Sequence, residues 1–217
     1  MNVIADLHIH SPYSRSTSPR LTLENLVRWG RRKGIQVIGT GDCIHPGWLE
    51  NLKTKLVRAG NGLYTLKPEY LPEPDNVLPG SNMPVYFMLT TEISSIYKKN
   101  GKVRKIHSVC IVPDLERART LQKQLARIGN IHSDGRPILG LDAKDVLEIV
   151  LGLEGNSFVI PAHIWTPWFS LLGSKSGFDS MQECYEDLTP HIFAVETGLS
   201  SDPPMNRLCS FLDSVRL

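Results

Sequence analysis

Cysteine is scarce: the chain has four in 217 residues, Cys43, Cys110, Cys184 and Cys209, and no two make a CxxC pair. That spacing excludes a thiolate zinc knuckle and a disulfide-stapled scaffold, and makes a reducing cytoplasm the expected location. Long hydrophobic runs are also lacking. No stretch approaches the roughly 18 consecutive apolar residues of a membrane helix, and the opening MNVIADLHIH has neither the basic start nor the apolar core of an export signal. A soluble protein with no membrane contact is expected. Charge of one sign is missing as well, since 24 Lys and Arg stand against 22 Asp and Glu, for a net charge of +2. Such a surface tolerates a polyanion but is not a nucleic-acid tail. No repeat, heptad, low-complexity segment or linker is visible. What is present, 41% hydrophobic and 21% charged residues, is the composition of a globular protein with a real core, expected as a single domain over residues 1–217.

Apolar runs and turn signals set out an alternating order of strands and helices. Residues 3–7 read as a buried strand that delivers His8 and His10 just past its end. Thr22 precedes Leu23, Leu26, Val27 and Gly30 at helical spacing, Arg31, Arg32 and Lys33 fill the last turn, and Gly34 follows, which predicts a capped amphipathic helix. Residues 35–40 form a second strand ending at Gly41 and Asp42, with His45 in the next loop and a short helix over 48–57. The Pro- and Gly-rich stretch 60–84 reads as a long connection. Residues 84–91 predict a third strand presenting Glu92 at its end, and Asn100-Gly101 marks a type I′ hairpin between 96–99 and 102–112, with His107 on the return strand. Asp114 caps a helix turning Leu115, Ala118, Leu121, Leu125 and Ile128 inward, and Asp142 caps another that runs to about residue 151. A strand over 158–162 ends at His163, a helix covers 179–187, a strand over 192–195 ends at Glu196, and a last helix lies near 206–212.

Strand-then-helix order predicts a parallel barrel or an open parallel sheet. The barrel is favoured because His8, His10, Asp42, Glu92, His107, His163 and Glu196 all fall at or just after strand C-termini, where β/α barrels assemble their active sites. Imidazoles with carboxylates suit zinc, manganese or iron at a catalytic site, and HxH places two side chains on one face of an extended segment. More ligands than one tetrahedral ion needs imply two or three metals, which together suit phosphoester hydrolysis. Of Asp42 and His45, one is read as a ligand and the other as a group that orients an imidazole. His132 and His191 read as ordinary hydrogen-bonded histidines. GSKSG at 173–177 fails the phosphate-loop pattern GxxxxGK[ST] and reads as a polar loop, although Lys175 is able to meet a phosphate. The cations Lys98, Lys99, Lys102, Arg104 and Lys105 read as a solvated hairpin tip, with a polyanion contact as the alternative. Trp48, Trp165 and Trp168 each follow a proposed ligand closely, where they either wall a pocket, stacking on a base, or pack in the core.

ADLHIHSPYS, GTGDCIHPGWLE (39–50), SDGRPILGLDAKDVLE (133–148), PAHIWTPWFSLLGSKSGFDS (161–180) and VETGLSSDPPMN (195–206) together resemble the endonuclease Q branch of the polymerase and histidinol phosphatase (PHP) superfamily. The similarity runs through nearly the whole chain. It implies an α/β fold, a distorted β/α barrel of the PHP type, incomplete at its last strand. It also implies two to three zinc or manganese ions and nicking of DNA on the 5′ side of deaminated bases or at abasic sites. By this resemblance His8, His10, Asp42, His45, Glu92, His107, His163 and Glu196 are the metal-site residues, Glu196 as ligand or as supporting carboxylate. Glu92, Asp42 and His163 are the catalytic residues, and Trp165, Trp168 and Lys175 the substrate contacts. The family closes its metal site with an Asp-x-His pair after the last strand. This sequence has no such pair after Glu196, and residues 215–217 would open that strand. The expectation is therefore a fragment of a longer protein or a truncated product, without the C-terminal region that grips DNA. A small-molecule phosphatase of the same superfamily, or a metal-binding protein without activity, are the rival readings.

Overall fold

The first helix is bracketed as its caps require. In the computed structural model, which describes residues 2–15, 17–73, 83–198 and 203–217, α1 spans Leu23–Lys33. Thr22 accepts from the Asn25 N–H, and Gly34 closes the helix at φ 74°. Leu23 and Val27 are fully buried, worth about 1.5–3 kcal/mol each. Contacts group the chain into two compact units, the first comprising residues 1–91, 112–123 and 131–136, the second comprising 92–111, 124–130 and 137–217.

In the first unit β1 (Ala5–Asp6) pairs parallel with β2 (Val37–Gly39), and β2 pairs parallel with the start of β5 (Tyr86–Lys99). The predicted strand over 3–7 shrinks to two paired residues, because residues 2–6 are exposed. After α2 (Pro46–Lys55) the chain forms an antiparallel hairpin of β3 (Leu56–Gly60) and β4 (Leu63–Leu66), and β4 pairs antiparallel with β5. This hairpin corrects the reading of 60–84 as a structureless connection. Its signal was Asn61-Gly62, a turn dipeptide whose residues both take positive φ, 52° and 76°. Residues 74–82 lie outside the described residues.

The second unit begins in the middle of β5, at Glu92. Here β5 turns through Asn100 and Gly101, at φ 52° and 74°, into β6 (Lys102–Val112), so the type I′ expectation holds. β7 (Ile138–Leu139) lies parallel to β5, and β8 (Phe158–Pro161) lies antiparallel to β6. The sheet pairings are thus mixed rather than all parallel, since two-residue hairpin turns join antiparallel strands. α3 (Leu115–Ala126) and α4 (Ala143–Leu151) match the predicted helices. Ala118, Leu121 and Leu125 are buried as expected, but Ile128 is exposed because α3 has ended before it. The predicted helix over 179–187 is α5 (Met181–Tyr185) followed by a 3-10 turn, Glu186–His191. The strand predicted over 192–195 is a single parallel bridge between Ala194 and Arg216. The last helix divides into α6 (Pro203–Asn206) and a 3-10 turn, Ser210–Leu212. Among the described residues no helix is long and apolar enough to cross a membrane.

Candidate metal centre

The glycines of GTGD bring the first two histidines to Asp42. A Cβ on Gly39 would lie 2.4 Å from the Leu7 carbonyl oxygen, and one on Gly41, at φ 59°, would lie 2.3 Å from that of Ile9. Only glycine lets the His8–His10 backbone approach so closely. Trp48 fixes the same turn from below, its Nε1–H donating to the carbonyls of Thr40 and Gly41 at 3.1 and 3.0 Å, and it is core rather than pocket wall. Asp42, fully buried at φ 47°, is surrounded by donors. Its Oδ2 accepts from Ser11 N (2.6 Å), Ser11 Oγ (2.6 Å) and Ser14 Oγ (2.9 Å), while Oδ1 meets His10 Nδ1 at 3.1 Å. Ser11 and Ser14 were not singled out from the sequence, although the serines at the two ends of SPYS, directly after HxH, were a readable signal. The His8 and His10 rings are edge to face at 5.8 Å. His45 sits nearby in sequence, stacked on Tyr13 at 4.3 Å, with Nε2 donating to the His132 carbonyl at 3.1 Å and Nδ1 buried.

In the second unit three donor atoms converge. His107 Nδ1 lies 2.7 Å from Glu92 Oε1, His163 Nε2 lies 3.6 Å from the same oxygen, and the two nitrogens are 3.3 Å apart. Neither Glu92 nor His107 ends a strand. Both lie within the long β5 and β6, which corrects the expectation that every candidate falls at a strand terminus. His163 does follow β8, at φ 29°, and the Ala162 N–H donates to the His107 carbonyl, which brings the two histidines side by side. The Glu196 Oε2 accepts from the His163 N–H at 2.7 Å.

Hydrogen bonding assigns a proton to His163 Nδ1. Thr166 Oγ1 donates to the carbonyl of His163 or Trp168, at 3.2 and 3.0 Å, so it accepts from His163 Nδ1–H at 3.0 Å. In the neutral ring the Nε2 lone pair then faces Glu92 and His107. A nitrogen lone pair, a second imidazole nitrogen and a carboxylate oxygen this close repel one another unless a proton or a cation stands among them. A tetrahedral ion with ligand bonds of about 2.0–2.1 Å needs donors about 3.3 Å apart, and the separations observed, 2.7, 3.3 and 3.6 Å, bracket that value. Glu92 is 2% exposed, and burying an ionised carboxylate costs several kcal/mol unless positive charge compensates it. The donor set therefore fits a divalent metal. Thr166, which sets the tautomer, is a residue that sequence reasoning missed.

No family model matches the chain. Over 98% of its length it matches the lesion-specific endonuclease Q of Pyrococcus furiosus, with a TM-score of 0.78 and 29% identity, covering 46% of that chain. An endonuclease Q complex with a 27-mer duplex carrying an abasic lesion at its active site gives 0.79 and 30% over 98% of this chain and 47% of the other. The chain is endonuclease Q-like. The fold extends to a candidate metal-dependent phosphoesterase of Bifidobacterium adolescentis, at TM-score 0.56 and 13% identity over 97% of this chain and 83% of that one. An uncharacterised protein of Methanocaldococcus jannaschii is 31% identical over 174 residues, which are 80% of this chain and 18% of that protein. The endonuclease Q-like chain thus spans less than half the length of the solved endonuclease Q chains it matches. Its PHP-like α/β fold is the one that the motifs implied.

The three residues expected to contact substrate are all placed in the second unit of this endonuclease Q-like chain. Trp165 is half-buried with its Nε1–H donating to Asn206 Oδ1 at 2.5 Å, Trp168 is 51% exposed, and Lys175 is exposed in the same loop, its backbone N–H donating to the Pro167 carbonyl at 3.0 Å.

Proposed function

We propose that this chain is a metal-dependent phosphodiester hydrolase that nicks DNA on the 5′ side of deaminated bases or abasic sites. The observation that carries the reading is the convergence of Glu92, His107 and His163 donor atoms within an endonuclease Q-like fold. His8, His10, His45, Glu92, His107, His163 and Glu196 serve as the metal-site residues, and Asp42 as the carboxylate that orients His10. With Nδ1–H of His10 held by Asp42, its coordinating nitrogen is Nε2. His45, its Nε2–H held by the His132 carbonyl, coordinates through Nδ1. Two or three zinc or manganese ions, when bound, supply an activated water and charge stabilisation at the leaving 3′ oxygen. Around them Thr166 keeps the His163 proton on Nδ1, and Glu92 brings a buried negative charge. Trp165, Trp168 and Lys175 contact the nucleic acid. A reducing cytoplasm is the location we propose, from the cysteine spacing of the sequence.

The test is a metal-loaded incubation with duplexes holding a single deoxyuridine or abasic site. Nicking 5′ of the lesion, lost in His8→Ala and His163→Ala, is the expected result. Release of inorganic phosphate from nucleoside monophosphates with no nick in any duplex would overturn the reading in favour of a small-molecule phosphatase.

A further inference from the structure

The loop between His163 and Phe178 is fastened along the backbone of β6. Phe169 O accepts from the His107 N–H at 3.1 Å, Ser176 O from the Lys105 N–H at 3.3 Å, and Ser176 Oγ donates to the Lys105 carbonyl at 3.2 Å. Within the loop the turns are tight: a Cβ on Gly173 would lie 2.2 Å from the Thr166 carbonyl oxygen, and one on Gly177 would lie 2.3 Å from Gly173 N. Phe169 adopts φ 58°, a strained conformation for a bulky residue, and its ring packs on His107 at 4.6 Å. This rigid loop holds Trp168 half exposed to solvent, at 51%, although a large aromatic ring would gain by burial.

Lys105 stands two residues before His107 in β6, on the same face. Its ammonium lies 4.9 Å from the Trp168 ring centroid and 5.3 Å from that of Phe169, the range of a cation–π contact. Four lysines of the molecule, Lys53, Lys55, Lys99 and Lys144, are neutralised directly, each meeting a carboxylate oxygen within 2.8 Å. Among the described residues no carboxylate pairs with Lys105. An ammonium steadied by two rings, beside a metal centre and without an acidic partner, keeps its charge for an incoming anion.

We infer that Lys105 and Trp168 form a nucleotide-gripping element beside the metal centre, the ammonium binding a backbone phosphate next to the scissile one and the indole stacking on an unpaired base. The inference rests on the nuclease reading above and picks out Lys105 from a basic run in which the sequence distinguished no single cation. Stacking on an open aromatic face is indifferent to base identity, so the element selects an unstacked nucleotide rather than a particular lesion.

Fluorescence anisotropy tests it, with the metal-loaded full chain and a labelled duplex holding one abasic site, titrated between about 50 and 200 mM salt. Lys105→Met is expected to weaken binding and to lower the slope of log K against log salt by about 0.9, one phosphate contact. Lys105→Arg restores both. Trp168→Ala is expected to weaken binding at least about fivefold while leaving the slope as it is. A loss of packing alone would not change the slope. An unchanged slope in a Lys105→Met protein of wild-type metal content overturns this inference and leaves the nuclease reading standing. Failure of the wild-type, metal-loaded chain to bind any oligonucleotide overturns both.

Discussion

Replacing Asp42 separates its two roles, holding a buried loop together and holding a proton on His10. Three donors converge on Oδ2, at 2.6, 2.6 and 2.9 Å, and His10 Nδ1 meets Oδ1 at 3.1 Å. Hydrogen bonds to a charged acceptor contribute about 1.5–3 kcal/mol each. Asp42→Ala removes the acceptor of the buried Ser11 N–H and of the buried Ser11 and Ser14 hydroxyls, for a loss of about 3–5 kcal/mol. Against a typical total stability of about 5–15 kcal/mol, that variant folds poorly or not at all. Asp42→Asn keeps an oxygen for the three donors and is expected to lose only about 1–2 kcal/mol. Its amide, however, presents N–H to His10 Nδ1, which then has to accept. The ring proton moves to Nε2 and occupies the lone pair needed for a metal. Loss of such a supporting contact costs about 10–100-fold in metal affinity. Urea denaturation measures the stability and calorimetric titration with manganese measures the affinity. A folded Asp42→Asn protein whose every metal site titrates like wild type would refute the assignment of Asp42 as the orienting group of a ligand histidine.

Two further outcomes follow from other parts of the molecule. Gly41→Ala forces a side chain into φ 59° and sets its Cβ 2.3 Å from the Ile9 carbonyl oxygen, so a loss above about 2 kcal/mol is expected in urea; a loss under about 0.5 kcal/mol would show that the histidine segment yields freely. The Glu186 carboxyl is held down at about 2 by hydrogen bonds from Lys144 and then Lys99. Its folded value lies below the unfolded one, so its contribution is complete above about pH 4.5 and lost as pH falls toward 2. Glu186→Gln should flatten the acid limb of the stability curve within that window, and an acid limb identical to wild type would contradict the assignment.

Much of the local architecture was legible because its causes are local. Thr22 and Gly34 bound α1 through contacts within a turn of the helix, and Asn100-Gly101 set a hairpin because both residues tolerate positive φ. The hairpin at Asn61-Gly62 carried the same signal, and the surrounding Pro and Gly hid it. Misreadings concentrate where pairing with distant chain segments decides the outcome. The apolar run over 192–195 has strand chemistry but obtains only the bridge to Arg216, and Glu92 reads as a strand end only if β5 stops where its apolar run weakens.

The candidate site divides along the same line. Residue type and motif alone named His8, His10, Asp42, Glu92, His107 and His163 as metal-site residues, because imidazole and carboxylate chemistry is a property of the side chain. Tertiary structure decided what each nitrogen and oxygen faces. Asp42 proved to be enclosed by Ser11, Ser14 and His10, and His163 to have its proton fixed by Thr166. Lys105, one cation of a basic run in the sequence, came to rest on Trp168, and among the described residues no carboxylate pairs with it. The physical reason is reach: a hydrogen bond or a metal–ligand edge spans about 3 Å, and only the pairing of β6 with β8 brings residues 107 and 163 within that distance.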